Sequence, residues 1–306
     1  MSAIAAIHHL PQPRFTQLES RFDDEFGVYW AMMNPHGRPC FSPSLLIDLK
    51  GFIDSITRSN GEVTVNGGTG SVKYAVLASK IDGIFNLGGD LAMLRNAIVH
   101  GDRRQLEQYA RMCVDDLFDW NRSFGLDVTT ISLVQGNALG GGFEAALASE
   151  VVIAEESVKL GFPEVLFNLF PGMGAYSFLT RKVGRRITEE LITSGNTYSA
   201  KQLYDMGVVD VVTPDGTGEA AVYGFVKKHR RGGNGRRAFA RMRRDFEAVP
   251  RKELEDVTRA WVDSAVKLTE RDLKTMDRLI RAQERAVVTE ISAGIADKRA
   301  SWGGAD

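Results

Sequence analysis

Three consecutive glycines, Gly140-Gly141-Gly142, stand between the strand-like run Ile131–Gln135 and the Ala-rich segment Phe143–Ser149, and another apolar run, Val151–Ala154, follows directly. A strand, a glycine turn, a short helix and a further strand in so few residues describe a crossover unit, which constrains the chain to a layered α/β fold. The same alternation runs upstream, with Tyr74–Ala78 reading as a strand and Leu91–Val99 and Arg104–Phe124 as helices. Leu18–Met33 reads as strands broken near Gly27, and Asn34–Arg38 carries turn residues. Ser42 and Pro43 fit the cap and first residue of a helix reaching about Arg58, with Leu45, Leu49, Phe52, Ile53 and Ile56 on one stripe. No internal repeat at a fixed period is visible, which argues against solenoids and propellers.

After Val208–Val212, a short strand closed by Pro214, the pattern changes. From about Gly218 the text reads as successive helices, the clearest being Asp272–Val288 with Leu273, Met276, Leu279, Ile280 and Val287 near one stripe. The expected organisation is an N-terminal arm (residues 1–17), an α/β core (18–214) and a C-terminal helical region (215–306). That last region is too apolar on one face to stand alone, so it is expected to pack on the core or on a neighbouring subunit.

Composition narrows the function classes. A formal net charge of −1 over 306 residues gives no reason to expect nucleic acid or a membrane surface as partner. Two distant cysteines, Cys40 and Cys113, argue against a disulfide scaffold or a cysteine-built metal site, and a reducing cytoplasm is the expected location. Neither a secretory signal nor a run of membrane-spanning length is read in the chain. His8, His9, His36, His100 and His229 show no metal-ligand spacing, so no metal is expected. G-x-G-x-x-G, P-loop and G-x-S-x-G patterns are absent, which weakens phosphate-loop and serine-hydrolase readings.

The chemistry-bearing stretch is Ile131 to Glu164. Glycines at a helix start let the backbone approach a ligand, and the first helical amides, lacking intrahelical partners, can bind a developing oxyanion. Gly141 is placed for that. Glu144 follows in an apolar or small-residue segment, where a carboxylate has a raised pKa or is held by donors; the competing reading is a capping charge in the first helical turn. Gly161-Phe-Pro163-Glu164 sets a second acid among apolar neighbours, and Glu164 could equally be the N-terminal charge of a helix that Pro163 starts. Upstream, Phe85-Asn-Leu-Gly88-Gly89-Asp90 places glycines at another loop-to-helix junction, with Asp90 as an N-cap and a second amide as the other half of a two-donor site. Lys227–Arg244 holds nine lysines and arginines and no acid. It is either a solvated helix face or a dock for phosphates or an acidic carrier protein.

With these motifs in order, joined by Pro171-Gly-Met-Gly174, Leu179-Thr-Arg-Lys-Val-Gly184 and Leu191-Ile-Thr-Ser-Gly195 to Val212, the chain resembles the enoyl-CoA hydratase/isomerase (crotonase) superfamily from about Phe26 to Pro214. The resemblance implies a spiral of ββα turns with a C-terminal helical region that supports homotrimers or hexamers. It further implies backbone amides of Gly89 and Gly141 as the oxyanion hole, Glu144 and Glu164 as the catalytic pair, Gly88, Leu139, Gly140 and Phe143 against the substrate, and no cofactor beyond the coenzyme A or acyl-carrier-protein handle of the thioester. The chain departs from housekeeping hydratases at Gly174-Ala-Tyr-Ser-Phe178 and at Asn168, where they prefer glycine. The segments Tyr29–Pro43 and Phe162–Phe178 look more like bacterial diffusible-signal-factor synthases. That likeness implies dehydration of 3-hydroxyacyl carrier protein to a cis-2-enoyl product, thioester hydrolysis that frees a fatty-acid signal, and a sensor kinase as partner. An ordinary enoyl-CoA hydratase and a non-catalytic acyl-binding or partner-binding protein are the alternatives.

Overall fold

The computed structural model describes residues 15–65, 68–231 and 233–285. Most of the expected N-terminal arm, with His8 and His9, and the end of the last helix, with Val287, lie outside the described residues.

The chain opens with an antiparallel pair, β1 (Leu18–Asp23) and β2 (Val28–Met33), followed by α1 (Pro43–Arg58). Helix α1 begins where its capping chemistry says it should: Pro43 is the first residue and the Ser42 hydroxyl accepts from the Leu45 amide at 3.2 Å. The expected apolar stripe of α1 is buried. A hairpin, β3 (Glu62–Val65) and β4 (Gly68–Ser71), precedes the core. Three times thereafter a long strand is followed by a three-residue one: β5 (Tyr74–Ser79) and β6 (Ile84–Asn86), β7 (Thr129–Val134) and β8 (Asn137–Leu139), β9 (Val151–Glu155) and β10 (Lys159–Gly161). Helices α2 (Leu91–Val99) and α3 (Arg103–Asn121) follow the first pair, α4 (Gly141–Leu147) the second, and α5 (Ala175–Thr193) the third. Strand β11 (Thr197–Ser199), helix α6 (Ala200–Asp205) and strand β12 (Val211–Thr213) complete this ββα spiral.

The long strands form one sheet in the order β1-β2-β5-β7-β9-β12, parallel from β2 onward. The short strands form another, β11-β10-β8-β6, in which β10, β8 and β6 are parallel. Both faces of the large sheet are covered, as parallel sheets require. Alternate residues go to opposite sides: Tyr29, Ala31, Ala75 and Leu77 join the main core, while Val28, Trp30, Val76, Ile131 and Leu133 meet Val222 and Val226 of α7 (Gly218–Arg230).

After α7 come α8 (Gly233–Glu247), α9 (Arg251–Ala265) and a helix over 270–285, here α10. Leu254, Trp261, Val262 and Ala265 of α9 and Met276 and Ile280 of α10 belong to the main core, so the C-terminal helices pack on the α/β core of the same chain.

Several element boundaries differ from expectation, and three have a clear local reason in hydrogen bonding or backbone conformation. Helix α4 starts at Gly141, not Phe143, because the Phe143 and Glu144 amides both donate to the Gly140 carbonyl. Helix α3 ends at Asn121, since Ser123 and Phe124 take positive φ (52° and 61°) in a following 3-10 turn. Val208 and Val209 are buried but outside the ladder: both amides donate to the Leu203 carbonyl at the end of α6, and strand pairing begins at Val211.

Candidate active site

Strands β6, β8 and β10 lie side by side and point the same way, so the loops that leave their C-terminal ends meet. The first loop, Leu87 to Asp90, is tied on all sides. Phe41 donates to the Gly88 carbonyl at 2.7 Å, Leu87 donates to the Pro39 carbonyl at 2.8 Å, and the Gly88 amide donates to Asn86 Oδ1 at 2.8 Å. Asp90 caps α2 by accepting from the Met93 amide at 3.2 Å, and Arg38 donates to the same carboxylate at 2.8 Å. Tyr109 accepts from the Asp90 amide at 3.2 Å and donates to the Phe41 carbonyl at 2.6 Å. From α10, Gln283 Nε2 donates to the Leu87 and Gly89 carbonyls at 3.0 and 3.3 Å.

The second loop presses against the first. Gly88 has φ +90°, and a Cβ on it would stand 2.8 Å from the Leu139 carbonyl oxygen and 3.0 Å from the Gly141 nitrogen, so only glycine fits. Gly140 has φ +53°, and a Cβ there would overlap Glu164 Oε1. Among the described residues, neither the Gly89 nor the Gly141 amide donates to a protein acceptor. Gly141 is the first residue of α4, where an amide has no intrahelical partner and carries the positive end of the helix dipole. Two unengaged amides from two abutting loops are thus available to an incoming acceptor such as a carbonyl oxygen.

Glu144 sits in the first turn of α4, 1% exposed. Its carboxylate does not cap its own helix; Oε1 accepts from the Met173 and Ala175 amides at 2.8 and 2.9 Å, at the loop that starts α5. Burial pushes the Glu144 carboxyl up to about 7, against the pull of those backbone donors. Glu164 lies on a 3-10 turn, Pro163–Phe167, that ends at Asn168 in the left-handed conformation (φ 61°). Asn tolerates that conformation better than other non-glycine residues, which accounts for its standing where glycine was expected. Glu164 Oε2 is shielded from solvent and has no hydrogen-bond partner among the described residues. Burial, and then the neighbouring Glu144 charge, push the Glu164 carboxyl up to about 8. The Glu144 charge raises the proton affinity of Glu164, so the protonation of the two carboxyls is linked.

Both glutamates, Gly88, Gly89, Gly140 and Gly141 line one cavity whose remaining wall is almost wholly apolar. Leu139 and Phe143, expected against the substrate, are not in that lining. Phe143 is fully buried and stacks on Phe162 with centroids 4.8 Å apart, which fixes α4 against the β10 loop; Leu139 contributes its carbonyl to the contact with Gly88. Met173, Trp261 and Met276 line the cavity and were not foreseen. The Pro171-Gly-Met-Gly174 motif was a usable signal for Met173. Trp261, Met276 and Gln283 carried none, since each is one residue on an ordinary amphipathic helix.

Part of the basic run is accounted for within the chain. Arg243 and Arg244 pair with Glu150 at 2.9 and 3.1 Å, Arg244 also with Asp127 at 2.8 Å, and Lys227 and Arg230 lie over the Phe26 ring. The side chains of Arg236 and Arg237 are outside the described set. Among the described residues no group of three or more His, Cys, Asp or Glu could hold a metal ion, and no helix is long and apolar enough to cross a membrane.

A model of the enoyl-CoA hydratase/isomerase family matches residues 68–228, which contain both glycine loops and both glutamates. Among curated proteins, the enoyl-CoA isomerase/hydratase fer4 of Mycosarcoma maydis is 42% identical over 93 residues, 30% of this chain and 34% of that protein. A probable mitochondrial enoyl-CoA hydratase 2 of Arabidopsis thaliana is 27% identical over 207 residues, 67% of this chain and 62% of that one. The chain thus spans less than two thirds of the length of either relative. Among solved structures, Pseudomonas aeruginosa DspI superposes with a TM-score of 0.63 at 21% identity, covering 81% of this chain and 88% of DspI, a likeness of fold.

Proposed function

Because the chain belongs to the enoyl-CoA hydratase/isomerase family, we propose that it adds and removes water across the C2–C3 bond of acyl thioesters, with Glu144 and Glu164 moving the protons. The observation that carries this reading is the placement of two coupled carboxyls, raised to about 7 and about 8, beside two unengaged amides in an apolar cavity.

In the dehydration direction the Gly89 and Gly141 amides receive the thioester oxygen and stabilise the negative charge that appears there as the C2 proton leaves. Near neutral pH the glutamate pair holds one proton. Its ionised member takes the C2 proton, the C2=C3 double bond forms as the C3–O bond breaks, and its protonated member gives its proton to the departing hydroxyl, which leaves as water. The pair ends with the same number of protons it began with. The apolar wall keeps bulk water from competing for the charge.

Within that activity we propose a 3-hydroxyacyl carrier protein as substrate and a cis-2-enoyl fatty acid, released by thioester hydrolysis, as signal product. Support comes from the likeness of Tyr29–Pro43 and Phe162–Phe178 to diffusible-signal-factor synthases and from the presence of two carboxylates able to activate a water. The opposing reading, an ordinary hydratase of coenzyme A thioesters, draws on the likeness to the fungal enoyl-CoA isomerase/hydratase and the plant probable enoyl-CoA hydratase. A homotrimer or hexamer is proposed on the family resemblance.

One experiment orders these claims. Matched 3-hydroxyacyl thioesters on carrier protein and on coenzyme A are incubated with the wild type, Glu144→Gln and Glu164→Gln. Each substitution is expected to lower kcat by about 10²- to 10⁴-fold in a folded protein. Full activity in both variants contradicts the mechanism. Faster turnover on carrier protein with free cis acid as product supports the signal-synthase reading; faster turnover on coenzyme A with the product still esterified supports the ordinary hydratase.

A further inference from the structure

A second cavity lies behind the catalytic one, between α1 and α3, walled by apolar side chains that include Leu46, Leu49, Ile53, Leu117 and Trp120. Cys113 and Met173 belong to the walls of both cavities and form the partition between them. Met173 is an unbranched, polarisable side chain whose backbone is fixed by Glu144 while its terminal methyl rests against Gly141, so it is an adaptable partition rather than a rigid one.

Among the described residues, the only charged or strongly polar side chain in the wall of this second cavity is Asp116. It stands on the inward stripe of α3 with Cys113, Leu117 and Trp120, is 7% exposed, and its Oδ2 has no hydrogen-bond partner among the described residues. The nearby cation is engaged elsewhere: Lys50 bonds Asp54 at 3.0 Å and Asp119 at 2.8 Å. Asp115, the adjacent acid, pairs with Arg251. Burial pushes the Asp116 carboxyl well above the usual carboxylate range; Lys50 opposes this, and Asp115, Asp119 and Asp54 add to it. That direction favours the protonated carboxyl, a form able both to donate and to accept. A buried polar group without a partner destabilises the fold, and a leucine at this position would complete the wall without that cost, so packing does not explain the carboxyl.

We propose that the substrate's acyl tail passes Cys113 and Met173 into the second cavity, and that Asp116 is a specificity residue that hydrogen-bonds an oxygen substituent, a hydroxyl or oxo group, on the distal part of that tail. This rests on the reading of the first cavity as an acyl-thioester site. A plain hydrocarbon tail fills the cavity but leaves Asp116 unpaired. A tail with an oxygen at the right carbon satisfies it. The inferred substrate class is therefore the oxygenated acyl thioesters.

The test is a ladder of 3-hydroxyacyl thioesters of one length, each with a second hydroxyl at a different distal carbon, compared with the unsubstituted chain. One position is expected to raise kcat/KM about tenfold or more, as pairing an otherwise orphaned buried group does. In Asp116→Leu that preference should vanish while the unsubstituted chain is turned over at least as well; Asp116→Asn, nearly isosteric, should keep part of the preference and guards against a loss caused by misfolding. A ladder with no preferred position, or a preference unchanged in Asp116→Leu, overturns the proposal. If no thioester is turned over, the dehydratase reading falls, and dissociation constants for the same ladder decide the matter of Asp116 separately. Tighter binding of one hydroxylated member, lost in Asp116→Leu, upholds it, and uniform binding overturns it.

Discussion

Glu144 and Glu164 are the same side chain in two different electrostatic settings. Glu144 has one oxygen committed to two backbone amides, whereas the Glu164 carboxyl has a buried oxygen with no partner, and the stronger upward push falls on Glu164. If the singly protonated pair is the working form, kcat/KM should follow a bell with its limbs near pH 7 and 8, read from an initial-rate profile on a non-ionising substrate. The same shifts bear on stability. Both folded-state values lie above the ordinary carboxylate value, so the folded protein binds more protons than the unfolded chain between about pH 4.5 and 8. The contribution of this pair is fully present below pH 4.5 and is lost as pH rises through 7 and 8. Glu164→Gln should therefore raise the denaturation midpoint at pH 9 relative to wild type and leave it nearly unchanged at pH 4.

At the scale of elements, the site is made where three short parallel strands end together. Each loop is held by contacts the strands themselves do not supply. Gln283 is the clearest case: α10 reaches across to the Leu87 and Gly89 carbonyls, which belong to the peptides flanking the one that carries the Gly89 amide, and so ties that loop from both sides. If the Gly89 amide is the oxyanion donor proposed above, Gln283→Ala should lower kcat about tenfold with little change in KM or melting temperature, because a misaimed donor is felt in the transition state more than in the ground state. A loss confined to stability, with kcat intact, would reduce Gln283 to a packing residue. Gln283 was not legible beforehand, since a glutamine on an amphipathic helix has no pattern that tells a loop anchor from a solvated side chain. The glycines and Asp90 were legible, because a positive φ, a close backbone approach and an N-cap each demand a narrow set of residue types.

For the molecule as a whole, the C-terminal helices are joined to the core by burial rather than appended to it. Helix α7 covers the outer face of the large sheet through Val222 and Val226, and Trp261 and Met276 line the cavity that holds both glutamates. A chain ended after Pro214 would leave Val28, Trp30, Val76, Ile131 and Leu133 uncovered. It is expected to aggregate or to bind a hydrophobic dye with loss of near-ultraviolet circular dichroism, while the full chain unfolds in one cooperative calorimetric transition. A soluble, cooperatively folding truncation would show that the spiral is stable alone.

What the residues determined by themselves was local: the cap of α1, the strand–glycine–helix junctions, both glutamates in apolar settings, and the succession of helices after Gly218. These follow from backbone sterics, capping and hydrophobic period, which act over a few residues. The ββα repeat was hidden because insertions of very different length separate its turns and its short strands have only three residues, too few to show alternation. Tertiary structure brought the expected loops, some fifty and twenty residues apart, to one cavity, and it alone decided that Glu144 is gripped by the Met173 and Ala175 amides rather than capping its helix and that Asp116 lines an apolar chamber with its Oδ2 unpartnered among the described residues. Those facts depend on which strand ends lie side by side and which helix face is buried. They are properties of packing between distant segments, and no local pattern carries them.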